Sequence, residues 1–104
     1  MSARELKVLN PFDETVYTTQ PMLEADGVDE VVARSRAAFA QWRWSAPAER
    51  RALCEGFLRE FEALGPQTAA DITRQMGKPL QQARNEVNGT LDRARHMIAI
   101  AEET

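Results

Sequence analysis

Residues 74–79, Arg-Gln-Met-Gly-Lys-Pro, end one helical pattern and begin another. Gly77 can adopt a left-handed backbone conformation without steric cost, which suits the position just past a helix end. Pro79 cannot continue that helix, but its fixed φ suits the first turn of the next one. The stretch therefore predicts a tight connection between two helices, which we call the elbow (residues 77–79).

The longest periodic pattern in the chain follows the elbow. Apolar residues recur there every three or four positions, which predicts one amphipathic helix over residues 80–103, about 36 Å long. The residues of this stripe are Leu80, Ala83, Val87, Leu91, Ala94, Ile98 and Ala101. Gly89 lowers the helix propensity without interrupting the stripe.

Two more helices are predicted immediately before the elbow. The first begins near Pro47, which suits a first helical turn, and Glu49 lies close to the positive end of the helix dipole. Gly65 and Pro66 end this helix and open the next, which continues to the elbow. The apolar positions of the two helices are Leu53, Phe57, Leu58, Phe61 and Leu64, then Ala69, Ile72 and Met76.

A fourth helical pattern covers residues 26–42. Asp26 is the predicted N-cap, and Asp29 lies near the positive helix end. The helical stripe consists of Val28, Val31, Val32, Ser35, Ala38, Phe39 and Trp42. We expect Trp42 and the nearby Trp44 to pack in the core near the end of this helix.

The first 20 residues predict a β-hairpin. Strand-like runs at residues 6–9 and 16–19 flank a turn that contains Asn10 and Pro11. An extended N-terminal arm is the alternative. The predicted fold class is α+β and mostly helical, with a hairpin in residues 1–20 and about four helices in residues 26–104, in one segment derived from a larger α/β fold.

Composition excludes several classes of protein. The net charge of −3 gives no electrostatic footprint for nucleic acid or an anionic membrane surface. No apolar run is long enough to span a bilayer, and the first residues lack the pattern of a signal peptide. The single cysteine excludes an internal disulfide, which fits a cytoplasmic protein.

Few residues could carry chemistry. Cys54 lies within a helix beside apolar positions, so we expect a buried structural thiol. His96 has no partner residues for a zinc site and is expected at or near the surface. Gly77 and Lys78 do not form a phosphate loop, because Ile72 and Pro79 occupy positions where that motif needs glycine and serine or threonine.

Carboxylates are scattered rather than paired. Those considered are Glu60, Glu62, Asp71 and Glu86. They lie among opposite charges, and we expect them on solvated helix faces with partners four residues away rather than in an acid–base pair. No G-x-G-x-x-G dinucleotide motif occurs in the chain.

The last residues lack a helix stop signal. Residues 100–104 contain no Gly, Asn or Pro, and Glu102 and Glu103 lie at the negative end of the helix dipole. We expect truncation of a longer pattern, with fraying of a natural C-terminus as the alternative.

Four stretches in this order resemble the N-terminal part of the aldehyde dehydrogenase superfamily. They are Leu9-Asn10-Pro11, the helix ending Ala37-Ala38-Phe39 and Trp42, Pro47-Ala48-Glu49-Arg50, and Met76-Gly77-Lys78-Pro79 with Ala83, Glu86 and Val87. Each stretch alone is weak, but the ordered set is fairly specific to the superfamily and says little about substrate.

The resemblance implies an NAD(P)-dependent oxidation of an aldehyde to a carboxylic acid. In that family a cysteine thiolate attacks the aldehyde, hydride passes to the nicotinamide, and water activated by a glutamate releases the acid. These residues lie beyond Thr104 in the family pattern, and Cys54 does not match the catalytic motif. No catalytic, cofactor-binding or metal-binding residue is therefore predicted here, and NAD or NADP would bind only the parent enzyme, which is expected to be a homo-oligomer.

Some family members hold a monovalent cation near this region. The matching positions are the backbone oxygen of Leu9 and the side chain of Gln75. Gln75 replaces the usual acidic residue, so a hard cation would lose a charged oxygen ligand.

Two hypotheses follow. The favoured one is a fragment of an aldehyde dehydrogenase, inactive alone, whose partner is the rest of that enzyme. The alternative is a stand-alone helical interaction module that binds a protein partner. Its apolar faces would be exposed unless they pack together, and they comprise Phe39, Trp42, Phe57, Phe61, Leu91 and Ile98.

Overall fold

The computed structural model describes residues 4–103 and confirms the predicted hairpin followed by four helices. Strands β1 and β2 pair antiparallel, and the helices follow in chain order. The bounds are β1 Glu5–Leu9, β2 Val16–Pro21, α1 Ala25–Trp42, α2 Pro47–Ala63, α3 Gly65–Met76 and α4 Leu80–Ile100. None of the helices in this part of the chain combines the length and apolarity that a membrane span needs.

The hairpin turn is built from its own polar groups. Asn10 N–H donates to the carbonyl of Thr15 at 2.8 Å, and its side-chain oxygen accepts from Phe12 N–H at 3.0 Å. Glu14 takes a left-handed conformation, with φ of 60°. A register shift between Val8 and Leu9 adjusts the pairing before the turn. The hairpin prediction is confirmed, and the extended-arm alternative is wrong.

The predicted start of α1 and end of α4 are wrong by a few residues. Helix α1 begins at Ala25 with Glu24 at the N-cap, which makes no side-chain capping bond. Asp26 is therefore inside the first turn, where its charge still favours the helix dipole. Helix α4 ends at Ile100, and Glu102 instead forms an ion pair with Arg51 at 3.4 Å. Carboxylates are unfavourable at a helix C-terminus, which accounts for the early end.

The start of α2 and the elbow agree with the sequence. Pro47 begins α2, and Glu49 Oε2 accepts a hydrogen bond from Ala46 N–H at 2.8 Å. Gly77 caps α3 in the left-handed region with φ of 72°. Pro79 is the N-cap residue of α4, one position before the predicted first turn, a difference within the usual uncertainty of helix boundaries.

The core lies between α2, α3 and α4. Its buried apolar residues are Leu58, Ala69, Ala83, Val87 and Leu91, with Phe61, Ile72, Ala94 and Ile98 packed against them. Ala69 and Ala83 are almost completely buried, and their small side chains let α3 and α4 approach closely. Burying a side chain such as Leu58 or Leu91 contributes about 1.5–3 kcal/mol. The predicted stripe of α4 is therefore the main apolar contact of the described fold.

The elbow also holds the hairpin turn. A Cβ added to Gly77 would lie only 3.0 Å from Pro11 Cγ. Glycine is therefore required here twice, by its positive φ and by the close approach of the turn. The predicted elbow therefore connects α3 to α4 and also contacts the hairpin turn.

Replacing Gly77 with Ala tests this requirement. A left-handed conformation costs an L-residue about 1–2 kcal/mol, and the contact with Pro11 adds to that cost. We expect faster amide exchange in α3 and α4, measured by hydrogen–deuterium exchange mass spectrometry.

Gly89→Ala is the matched control. An added Cβ at Gly89 meets no atom within 4 Å, and Ala is favoured over Gly in a helix interior by about 1 kcal/mol. Exchange in α4 should slow. If both substitutions change exchange in the same direction, the elbow does not depend on Gly77.

Candidate functional site

A hydrogen-bonded junction joins the hairpin to α3. Tyr17 of β2 donates its hydroxyl to Asp71 Oδ1, and Gln67 Nε2 donates to the same oxygen at 2.9 Å. The Arg74 guanidinium lies 5.7 Å from the centroid of the Tyr17 ring, within cation–π range. We call Tyr17, Gln67, Asp71 and Arg74 the hairpin junction.

The electrostatics of the hairpin junction favour an ionised carboxylate. The hydrogen bond from Tyr17 lowers the pKa of Asp71 below its ordinary value, and the bond from Gln67 and the charge of Arg74 act in the same direction. Asp71 is half-buried. The arrangement can therefore hold two elements together, but it gives Asp71 no basicity for acid–base chemistry near neutral pH.

A second polar contact spans the elbow. Lys78 Nζ forms an ion pair with Glu86 Oε1 across the first turns of α4. Lys78 is half-buried and Glu86 is exposed. The ammonium group of Lys78 is therefore directed to a carboxylate of α4.

The expected partners of the scattered carboxylates are partly wrong. Asp71 does bond to Gln67 four residues away, but it also contacts Tyr17 from a distant strand. Glu62 of α2 pairs with Arg95 of α4 at 3.0 Å, and the partner of Glu86 is eight residues earlier. Helix packing and the turn at the elbow bring these residues together, which local spacing does not encode.

Cys54 is exposed, so the prediction of a buried thiol is wrong. It borders an open groove of about 440 Å³ between the start of α2 and the end of α4, beside Met97 and Ile98. The core closes only one turn later, at Leu58, which accounts for the exposure. His96 is exposed on α4, as expected.

No metal centre is apparent in the part of the chain that the structure describes. Residues 4–103 contain no group of three or more His, Cys, Asp or Glu side chains placed to hold an ion. Leu9 and Gln75, the positions related to a monovalent cation site, are both exposed. Gln75 offers only a neutral amide oxygen, so these two positions do not supply a charged ligand to a hard cation.

Helix α1 and one side of α2 present uncovered apolar faces. None of the residues of α1 is buried. Trp42 and Trp44 are 41% and 79% exposed, so their predicted place in the core is wrong. The exposed apolar side chains of these two helices and the segment after α1 are Val28, Val32, Phe39, Trp42, Trp44, Leu53 and Phe57.

The six residues expected to form one large apolar patch divide into two groups. Leu91 is buried, and Phe61 and Ile98 pack against the core. Phe39, Trp42 and Phe57 stay exposed. The three exposed side chains are on α1 and α2. They stay exposed because α1 is not folded against the other helices as a bundle would require.

The whole chain is open for its size. Its accessible surface is 8570 Å², whereas a compact monomer of this mass exposes about 5,900 Å². Its radius of gyration is 18.0 Å, against about 13 Å for a compact domain of this length. The excess of about 2,700 Å² is larger than one side of a standard protein–protein interface.

A second shallow groove, further toward the N-terminal half of α4, adds to this uncovered surface. It has a volume of about 580 Å³ and is lined by residues of α2, α3 and α4, among them Phe61, Ile72 and Ala94. Thr68 and Thr90 also line it, and each donates its hydroxyl to the backbone carbonyl four residues earlier, at Leu64 and Glu86 respectively. The groove therefore presents mainly apolar atoms.

Comparison with known proteins decides the family. The family model described as the aldehyde dehydrogenase family matches residues 1–104. The chain belongs to the aldehyde dehydrogenase family. The resemblance inferred from the four ordered sequence stretches is confirmed.

The sequence relatives of this aldehyde dehydrogenase family chain are much longer. It is 32% identical over 88 residues to N-succinylglutamate 5-semialdehyde dehydrogenase 1 of Caulobacter vibrioides, covering 85% of this chain and 19% of that protein. It is 35% identical over 80 residues to 3-succinoylsemialdehyde-pyridine dehydrogenase of a Pseudomonas species, covering 77% and 17%. The chain thus spans about a fifth of the length of these relatives.

The fold is also that of a known aldehyde dehydrogenase structure. The crystal structure of aldehyde dehydrogenase from Bartonella henselae superimposes with a TM-score of 0.93 at 23% identity. The match covers 99% of this chain and 22% of that one. The open arrangement of hairpin and helices therefore matches an arrangement found within that longer chain.

Sequence reasoning missed the hairpin junction. Tyr17 and Asp71 are 54 positions apart, and no periodicity or motif links them. A tyrosine in a strand that otherwise carries Thr18, Thr19 and Gln20 was the only local sign of an unusual contact. It indicates a buried ring but does not identify a partner.

The substitution Tyr17→Phe tests the hairpin junction. It removes the hydroxyl donor and keeps the ring, which should cost about 1 kcal/mol of hairpin docking. We expect faster amide exchange in β1 and β2 with little change in α4. The control is Asp92→Asn, which alters an exposed carboxylate with only a 3.7 Å contact to Arg95; equal effects of the two substitutions would contradict the assignment.

The junction should also respond to acid. Because the pKa of Asp71 in the folded protein is lowered from 3.8, its ionised form stabilises docking above about pH 4, and this stabilisation is lost as pH falls through the folded-state pKa. Exchange of hairpin amides in wild type and Asp71→Asn, corrected for the intrinsic pH dependence, should differ at pH 7 and converge as the pH falls through the lowered pKa of Asp71. A constant difference over that range would exclude Asp71 as the titrating group.

Proposed function

We propose that this chain is the N-terminal part of the cofactor-binding domain of an NAD(P)-dependent aldehyde dehydrogenase. The observation that supports the proposal best is the accessible surface of 8570 Å², about 2,700 Å² more than a compact monomer of this mass exposes, in a chain that spans about a fifth of the length of its relatives. In a whole enzyme that surface would lie against the rest of the same polypeptide. The proposed setting is cytoplasmic, and the proposed whole enzyme is a homo-oligomer.

The proposed reaction of the whole enzyme is oxidation of an aldehyde to a carboxylic acid with hydride transfer to NAD or NADP. The described residues have a supporting role in this proposal. Cys54, the one thiol of the sequence, lies beside Met97 and Ile98 in a groove that none of the described histidines lines, so the groove does not supply the imidazole of a cysteine–histidine pair. No glycine-rich phosphate motif occurs in the sequence to hold a dinucleotide. The proposal therefore assigns binding of the cofactor and catalysis to other parts of the enzyme.

The isolated chain should show no activity. We expect no formation of reduced nicotinamide from NAD or NADP with a panel of aldehydes that starts with semialdehydes, because several relatives are named for such substrates. The positive control is the N-succinylglutamate 5-semialdehyde dehydrogenase of Escherichia coli K12 with its own substrate. Turnover by the 104-residue chain that is lost in Cys54→Ser would overturn the proposal.

A stand-alone interaction module is the second candidate. It is favoured by one specific observation, the exposure of Phe39, Trp42 and Phe57 on two neighbouring helices. Such a module would be stable and monomeric until it meets its protein partner. A part of a larger domain would instead leave these faces without their natural cover.

Dye binding and self-association separate the two candidates. Exposed apolar side chains such as Phe39, Trp42 and Phe57 favour association and bind hydrophobic dyes. Under the proposal, the isolated chain should bind such a dye and form oligomers in analytical ultracentrifugation, while the double variant Phe39→Ser/Phe57→Ser should do so less. A stable monomer with a sharp, cooperative thermal melt would favour the interaction module.

A further inference from the structure

Arg50 belongs to the first turn of α2 but contacts the end of α1. Its Nη2 donates to the carbonyls of Trp42 and Arg43, at 3.2 Å and 3.0 Å. Its Nε donates to Ser45 Oγ at 2.9 Å. The guanidinium carbon lies 5.5 Å from the centroid of the Trp42 ring. One side chain thus contacts the last helical residue of α1 and the short segment that connects the two helices.

These contacts meet a specific need of α1. The last carbonyls of a helix have no partner within the helix, and the dipole makes that end negative. The last turn of α1 contains no basic residue. The carbonyls of Phe39, Gln41 and Trp42 already accept hydrogen bonds from residues 43–45. Arg50 adds further donors to Trp42 and Arg43 and a positive charge from the following helix, since the planar guanidinium can serve several acceptors at once.

Little else holds α1 in place. None of its residues is buried, and among the described elements it forms no extensive packing contact, in contrast to the packed set α2, α3 and α4. Residues 43–46 are the whole connection between α1 and α2. The direction of α1 relative to the core therefore depends on its two short connections, residues 22–24 to the docked hairpin and residues 43–46 to α2, and on the contacts of Arg50.

We propose that Arg50 is a latch that sets the direction of α1. With its contacts formed, α1 and its uncovered apolar face are held in one orientation against the core of α2, α3 and α4. With the contacts broken, the C-terminal end of α1 shifts relative to α2 about residues 43–46, within the range that residues 22–24 and the docked hairpin allow. This device is a property of the chain itself and does not rest on the proposed function.

Pulsed electron paramagnetic resonance tests the latch. Spin labels at the exposed Cys54 of α2 and at Ser35→Cys of α1 report the distance between the helices, with unlabelled chain added to suppress signals between molecules. We expect one narrow distance distribution in the otherwise wild-type chain and loss of that single peak in Arg50→Ala. Amides in the last turn of α1 should also exchange about tenfold faster, because hydrogen bonds to a charged group are removed.

Two further variants make the outcome decisive. Arg59→Ala removes a charge from the same helix without any described contact to α1 and should leave the distribution narrow. Arg50→Lys keeps the charge but not the fork of donors, so it should broaden the distribution with unchanged helix content by circular dichroism. A narrow peak in both Arg50 variants, or equal broadening in Arg59→Ala, would overturn the proposal; if Arg50→Ala fails to fold, the Arg50→Lys distribution decides.

Discussion

The left-handed backbone of Gly77 is the constraint on which the rest of this structure depends. It turns the chain between α3 and α4 within three residues, and Ala69 of α3 and Ala83 of α4 are both almost fully buried in the core. Gly77 has no side chain, which leaves room for Pro11. A Cβ at this position would lie only 3.0 Å from Pro11 Cγ. One backbone conformation therefore sets the packing of two helices and the place of the hairpin turn.

The core made possible by this turn is small. Five buried apolar residues, all on α2, α3 and α4, carry most of the packing. The hairpin is attached through polar groups at Tyr17 and Asp71, and α1 through the guanidinium of Arg50. A fold with one apolar centre and two polar attachments has a large exposed surface, which accounts for the excess over a compact monomer.

The chain matches a known fold closely although its internal packing is small and several of its apolar faces are uncovered. The superposition on the aldehyde dehydrogenase of Bartonella henselae covers nearly all of this chain and 22% of that one. Phe39 and Trp42 on α1, and Phe57 on α2, lie at the apolar positions of amphipathic helices. Amphipathic periodicity identifies the face that will be covered, but it does not say whether the cover comes from the same segment.

Local chemistry was enough to predict the hairpin, the four helices, the elbow at Gly77, the α2 start at Pro47 and the buried stripe of α4, because each is encoded by residues within a few positions. The ordered stretches from Leu9 to Val87 were also enough for the family. Tertiary structure alone decided that Trp42, Trp44 and Cys54 are exposed, and that Tyr17 meets Asp71 and Arg50 meets Trp42. The physical reason is that burial and long-range polar contacts depend on which faces meet, and periodicity specifies a face without specifying its partner.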